Sequence, residues 1–107
     1  MALRYDLLVA QGEDYERTVP VNGTDSLAGW SVTGQVRDGT SPNAVLLHDL
    51  DVTFSGLNVV LRIPGSDSSD WDWRLARYDV ELRSPTPGLV PTRFLHGAVI
   101  VDAETTR

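Results

Sequence analysis

The chain has 107 residues, 41% of them hydrophobic, which suits one folded domain with a modest core and argues against disorder. Fifteen acids against nine bases leave a net charge of −6, which argues against gripping nucleic-acid phosphates or an anionic membrane surface. Cysteine is absent, so disulfides, thiolate metal sites and a cysteine nucleophile are excluded.

No stretch is long and apolar enough to cross a bilayer as a helix. The opening Met1-Ala2-Leu3-Arg4-Tyr5-Asp6 lacks the pattern of a signal peptide. The expectation is a protein made in a cytoplasm and used there, or built into a larger particle.

Residues 4–10 read as a first strand, with Tyr5, Leu7 and Val9 on one face. Gln11 to Asp14 form a turn or bulge. Tyr15 to Val21 read as a second strand, with Tyr15, Arg17, Val19 and Val21 sharing a face. Pro20 cannot donate to a ladder, so this run belongs at an edge or a strand end. Asn22-Gly23-Thr24-Asp25 is turn chemistry.

Trp30, Val32, Gly34 and Val36 then alternate with Ser31, Thr33, Gln35 and Arg37, a half-buried strand with a polar outer face. Gly34 leaves inward room for a large neighbour such as an aromatic ring. Ala44 to Phe54 is a longer apolar run. Its Val45-Leu46-Leu47 triple breaks alternation and predicts a bulge or bend. Ser55-Gly56-Leu57-Asn58 predicts a hairpin, and Val59, Leu61 and Ile63 line the returning strand up to Pro64-Gly65.

Ser66 to Trp73 carries helix-start signals: Ser and Asp caps followed by acids, enough for one short turn. The cleanest strand follows at 75–83, where Tyr78, Val80 and Leu82 alternate with Asp79, Glu81 and Arg83. Ala76-Arg77-Tyr78 looks like the entry to a late sandwich strand whose tyrosine hydroxyl caps the preceding corner. A last strand runs from about Arg93 to Val101, with Gly97 as a candidate bulge. Seven runs at this spacing, without crossover helices, predict an all-β fold: an immunoglobulin-like antiparallel β-sandwich of about seven strands. The whole chain, 1–107, reads as that single domain, with short extended termini at 1–4 and 102–107.

Several stretches fall in a familiar order: Tyr5-Asp6-Leu7, Gln11-Gly12-Glu13-Asp14-Tyr15, Leu27-Ala28-Gly29-Trp30, Gly34-Gln35-Val36-Arg37, Ala76 to Leu82 and Gly97 to Val101. This succession resembles small β-sandwich proteins of tailed bacteriophages. The nearest are tail collar and tail-tip sandwich domains and the immunoglobulin-like N-terminal domain of upper baseplate proteins. The resemblance implies a structural role in a virion: a domain that forms a homo-oligomeric ring or decorates a tube and mounts fibres or other tail proteins. Its partners would be tail tube, tail fibre or baseplate proteins, and its place the virion, after synthesis in the host bacterial cytoplasm. Upper baseplate proteins continue into a long C-terminal region, so this chain would correspond to the mounting domain.

No catalytic constellation is apparent. His48 and His96 lack metalloprotease spacing, no Gly-x-Ser-x-Gly elbow is present, and both histidines read as surface or strand residues. No phosphate-binding glycine loop precedes a helix. Neither an enzyme nor a cofactor is expected. Asp67, Asp70 and Asp72 have the chemistry of calcium ligands but lack the loop pattern, and they also suit a solvated turn with capping acids. Trp71 and Trp73 could form a platform for a partner or a sugar; the favoured division is one core and one interface tryptophan, with Trp30 in the core. The outward charges of the central strand, with Arg77 and Arg93, could pair across subunits. The first strand and the tail from Asp102 could reach a neighbour by strand addition.

The expected function is therefore non-enzymatic: a phage tail ring, collar or fibre-mounting adaptor. The expected contacts are Trp71, Trp73, Arg77, Arg93, Asp102 and Arg107. Capsid decoration or a head–tail connector is a second structural reading. A small carbohydrate-binding sandwich using Trp71 and Trp73 is a third.

Overall fold

The structure is a computed structural model that describes residues 3–22, 25–39, 41, 43–86, 88 and 92–102. Among these, the elements in order are β1 (Leu3–Arg4), β2 (Leu7–Ala10), β3 (Tyr15–Pro20), β4 (Ser31–Arg37), β5 (Leu46–Asp49), β6 (Asp51–Ser55), β7 (Asn58–Ile63), α1 (Gly65–Ser68), β8 (Leu75–Arg83) and β9 (Thr92–Asp102). They form two sheets. The larger has the order β1-β9-β8-β4-β5, with β2 also on β9, and the smaller has the order β3-β7-β6. In immunoglobulin terms β9-β8-β4-β5 correspond to strands G-F-C-C′ and β3-β7-β6 to B-E-D, the order of an immunoglobulin-like sandwich.

The seven predicted runs become nine strands because two of them break. The first run breaks at Tyr5-Asp6, between β1 and β2. The long run through Leu46 breaks at Leu50, where the chain passes from the larger sheet (β5) to the smaller (β6). The predicted bulge is present: Val36 pairs with His48 but Arg37 with Leu46, leaving Leu47 unmatched. One feature departs from the antiparallel expectation. β1 and β2 both run parallel to β9, with Leu7 opposite Val99 and Val9 opposite Val101.

Alternation explains the core. Leu7 and Val9 of β2, Val59, Leu61 and Ile63 of β7, Tyr78, Val80 and Leu82 of β8, and Leu95, Val99 and Val101 of β9 all point between the sheets. Each fully buried aliphatic side chain contributes about 1.5–3 kcal/mol. Pro20 ends β3, an edge strand of the smaller sheet, as its missing donor requires. Gly34 does make room inside, but aliphatic groups fill it: a Cβ there would lie 3.1 Å from Leu50 and 3.3 Å from Val52.

Two local expectations are corrected. The second bulge lies at Phe94, since Val80 pairs with Leu95 and Glu81 with Arg93, whereas Gly97 pairs regularly with Tyr78. Gly97 is needed for a close approach instead. A Cβ there would run into the Tyr5 carbonyl oxygen and lie 2.9 Å from Asp6 Oδ1. The Tyr78 hydroxyl does not cap the preceding corner; it donates to the Tyr5 carbonyl of the N-terminal run. The break at Tyr5-Asp6 turns that carbonyl toward β8, while Asp6 Oδ1 accepts the Ala98 N–H at 2.9 Å.

Candidate functional site

The two sheets present very different outer faces. On the smaller sheet, Arg62 of the middle strand β7 stands opposite both Glu16 and Asp51. It lies 3.6 Å from Glu16 and 3.9 Å from Asp51. Polar neighbours and charges paired within the sheet make this an ordinary solvated face.

The larger sheet exposes apolar side chains instead. Leu8 of β2 pairs with Ile100 of β9, and Ile100 pairs with Leu75 of β8. The three side chains form one row across three strands, 68%, 40% and 66% exposed. A row of aliphatic side chains in direct register is a contiguous apolar strip, unlike singly scattered surface leucines. Sequence reading missed it because Leu8 and Ile100 sit in runs that look uniformly apolar. Only the register shows that they share the outer side.

Beside the strip lies a polar basin of about 450 Å³, whose lining includes Gln35, Arg37, Arg77, Asp79, Arg93 and His96. The strand register builds it: Arg37 of β4 stands directly opposite Arg77 of β8, Gln35 opposite Asp79, and Asp79 opposite His96 of β9. Arg37 is fixed by donating from Nη1 to the Ala44 carbonyl (3.0 Å) and from Nη2 to Gln35 Oε1 (2.8 Å). Arg93 Nη2 lies 3.7 Å from Asp79 Oδ2. The Arg77 side chain makes no hydrogen bond or ion pair among the described residues. Asp6 sits near enough for the Arg77 charge to act on it, but its carboxylate is already engaged. The Ala98 N–H is the main cause that holds the Asp6 pKa below the usual value, with Arg4 and Arg77 adding to it.

Arg77 and Arg93 line the same basin. Asp102 is exposed at the end of β9, where its carbonyl accepts from Gln11 N at 3.0 Å. Arg107 lies outside the described residues. Trp71 and Trp73 come together in the α1–β8 connection, stacked with centroids 4.5 Å apart and planes at 23°. Both are half-buried against the core, as is Trp30, so the division into one core and one interface ring is not seen.

Trp71 also meets His48 edge-on, with centroids 5.2 Å apart. His48 pairs with inward-facing Val36, so it too faces inward rather than lying on the surface. Its Nε2 is buried without a hydrogen bond, 4.0 Å from Asp67 Oδ2. Gln11 anchors this corner by donating from Nε2 to the Trp71 carbonyl (2.8 Å) and the Ser68 carbonyl (3.1 Å), and buried Ser68 Oγ accepts the Gly12 N–H. These are structural fastenings. Asp67, Asp70 and Asp72 surround the corner, and no group of three or more metal-ligating side chains gathers among the described residues.

No protein-family model and no curated protein matches the chain. Among solved structures it is similar to the extracellular domain of the voltage-gated sodium channel beta4 subunit, described as a parallel homodimer with a role in cell–cell adhesion. The match has 12% identity and a TM-score of 0.43, and covers 94% of this chain and 92% of that one. That score is too low for the channel subunit's pairing to bear on this chain. The immunoglobulin-like sandwich rests on the strand order itself.

Proposed function

We propose that this chain is a non-enzymatic structural module of a tailed-bacteriophage particle, docking a protein neighbour on the outer face of its larger sheet. The observation that carries the docking role is the exposed row Leu8–Ile100–Leu75 beside an arginine-lined basin. An apolar strip flanked by arginine has the make-up of a protein interface, where aliphatic burial supplies affinity and charge sets register. The phage setting rests on the resemblance in the order of its segments. The tail ring or adaptor role is preferred to capsid decoration, which would use the same face. Stacking of Trp71 on Trp73 spends one face of each ring on the other, which disfavours the sugar platform.

The test is light scattering of the purified chain, alone and mixed with tail tube, fibre or baseplate proteins. A ring, or a monomer that assembles on tail proteins, is expected. A monomer indifferent to them overturns the tail reading.

A further inference from the structure

The basin on the larger sheet holds more positive charge than its own fold uses. Arg37 and Arg77 are direct cross-strand partners, and like charges so placed destabilise a sheet unless something anionic covers them. The acids around it leave Arg37 and Arg77 without an ion pair, Glu81 standing opposite Arg93 and Asp49 opposite Gln35. Asp79 faces Arg93, and Asp6 accepts from Ala98 and lies 3.6 Å from Arg4. Arg37 spends two of its five N–H donors within the chain and keeps the rest, held in a fixed orientation by Ala44 and Gln35. Arg77 has all of its donors available. Three of the chain's nine bases thus converge on one concavity in a molecule of net charge −6.

We infer that this basin is a carboxylate-binding site that receives an acidic segment of a partner protein, Arg77 and Arg37 gripping one side-chain carboxylate and Arg93 and His96 flanking it. The inference rests on the reading of this face as a docking surface and names the chemistry of what docks there. Guanidinium groups match carboxylate geometry and form charge-assisted hydrogen bonds. The overall negative charge does not oppose this, because acids more than about 8–10 Å from the basin are screened at ordinary salt. The same excess of acid disfavours a polyphosphate backbone, whose charges extend well beyond a single basin. The adjacent apolar row supplies the contact that a bare carboxylate site lacks.

The probe is a hexaglutamate peptide with both ends blocked, titrated into the ¹⁵N-labelled chain at low salt while the arginine Nε–Hε resonances are followed. The Arg37 and Arg77 signals are expected to shift and saturate, with shifts lost on raising the salt. Arg77→Gln is exposed and should fold normally while weakening binding by about tenfold. Arg93→Gln should weaken it less, and Arg62→Gln on the other sheet should leave it unchanged. Blocked hexalysine should shift nothing in the basin. The inference is overturned if hexaglutamate leaves these signals still, if inorganic phosphate binds as tightly as the peptide, or if Arg62→Gln weakens binding as much as Arg77→Gln. Tail-protein assembly that persists undiminished in Arg77→Gln would overturn the carboxylate grip while leaving the docking reading intact.

Discussion

The Tyr78 hydroxyl donates a hydrogen bond to the Tyr5 carbonyl, joining residues 73 positions apart and tying the N-terminal run to the central strand β8. Removing the donor leaves a carbonyl without its partner at the break in the first run. Tyr78→Phe is expected to cost about 1–2 kcal/mol, read as a lower denaturation midpoint with an unchanged slope.

The same phenol makes a pH prediction. Burial, with Tyr15 and Asp6 nearby, pushes the Tyr78 pKa well above its ordinary value. The unfolded chain therefore loses this proton first, at about pH 10. The contribution is fully present below that and drains away as pH rises toward the folded value. Unfolding free energies measured from neutral pH upward should fall above about pH 10, and Tyr78→Phe should remove part of that fall. An identical alkaline slope in both proteins would refute the assignment.

Gly97 is the complementary half of this contact. A methyl group there meets the Tyr5 backbone first, with Asp6 Oδ1 beside it, so the N-terminal run must move to admit it. Gly97→Ala should destabilise by about 1–3 kcal/mol, with amide exchange rising first at Leu7–Ala10. A substitution tolerated without any change in exchange would show that the approach is looser than described.

The stacked tryptophans should not be equivalent. Trp73→Ala loses the stack and its half-buried packing, about 2 kcal/mol, whereas Trp71→Ala loses the same kinds of contact and also uncovers inward-facing His48, and should cost about 1 kcal/mol more. Thermal denaturation of the two variants decides this. Equal losses would mean that the His48 contact contributes nothing.

Leu75 is an exposed member of the apolar row, so Leu75→Glu should change stability by no more than about 0.5 kcal/mol. It should nevertheless abolish assembly with a tail partner, monitored by light scattering. Assembly that survives a charge in the middle of this face would move the docking surface elsewhere.

Much of the sandwich was legible because period-two alternation is strong in its central strands. Tyr78-Val80-Leu82 and Val59-Leu61-Ile63 face inward as read, and the Leu47 bulge and the single helical turn at Gly65–Ser68 fell where the pattern broke. What stayed hidden depends on pairing. Nothing in Leu7-Leu8-Val9 says that its partner is Val99-Ile100-Val101, or that the two run parallel. Without that register the outer row of Leu8, Ile100 and Leu75 cannot be assembled. Arg77 and Arg93 could be singled out, but Arg37 completes their basin only through its register with Arg77. His48, expected on the surface or in a strand, lies in β5, and its inward direction was hidden for the same reason, because its neighbour across the strand decides which way it points.

The parallel seat of β2 on β9 also sets the order in which the molecule can be completed. Leu7 must find Val99, far along the sequence, and closing so long a loop is slow. Until then β9 offers an unpaired edge that fits any copy of the N-terminal run, its own or another molecule's. Refolding at high concentration should therefore trap dimers that have exchanged this strand, while dilute refolding yields monomers, the two separable by size-exclusion chromatography.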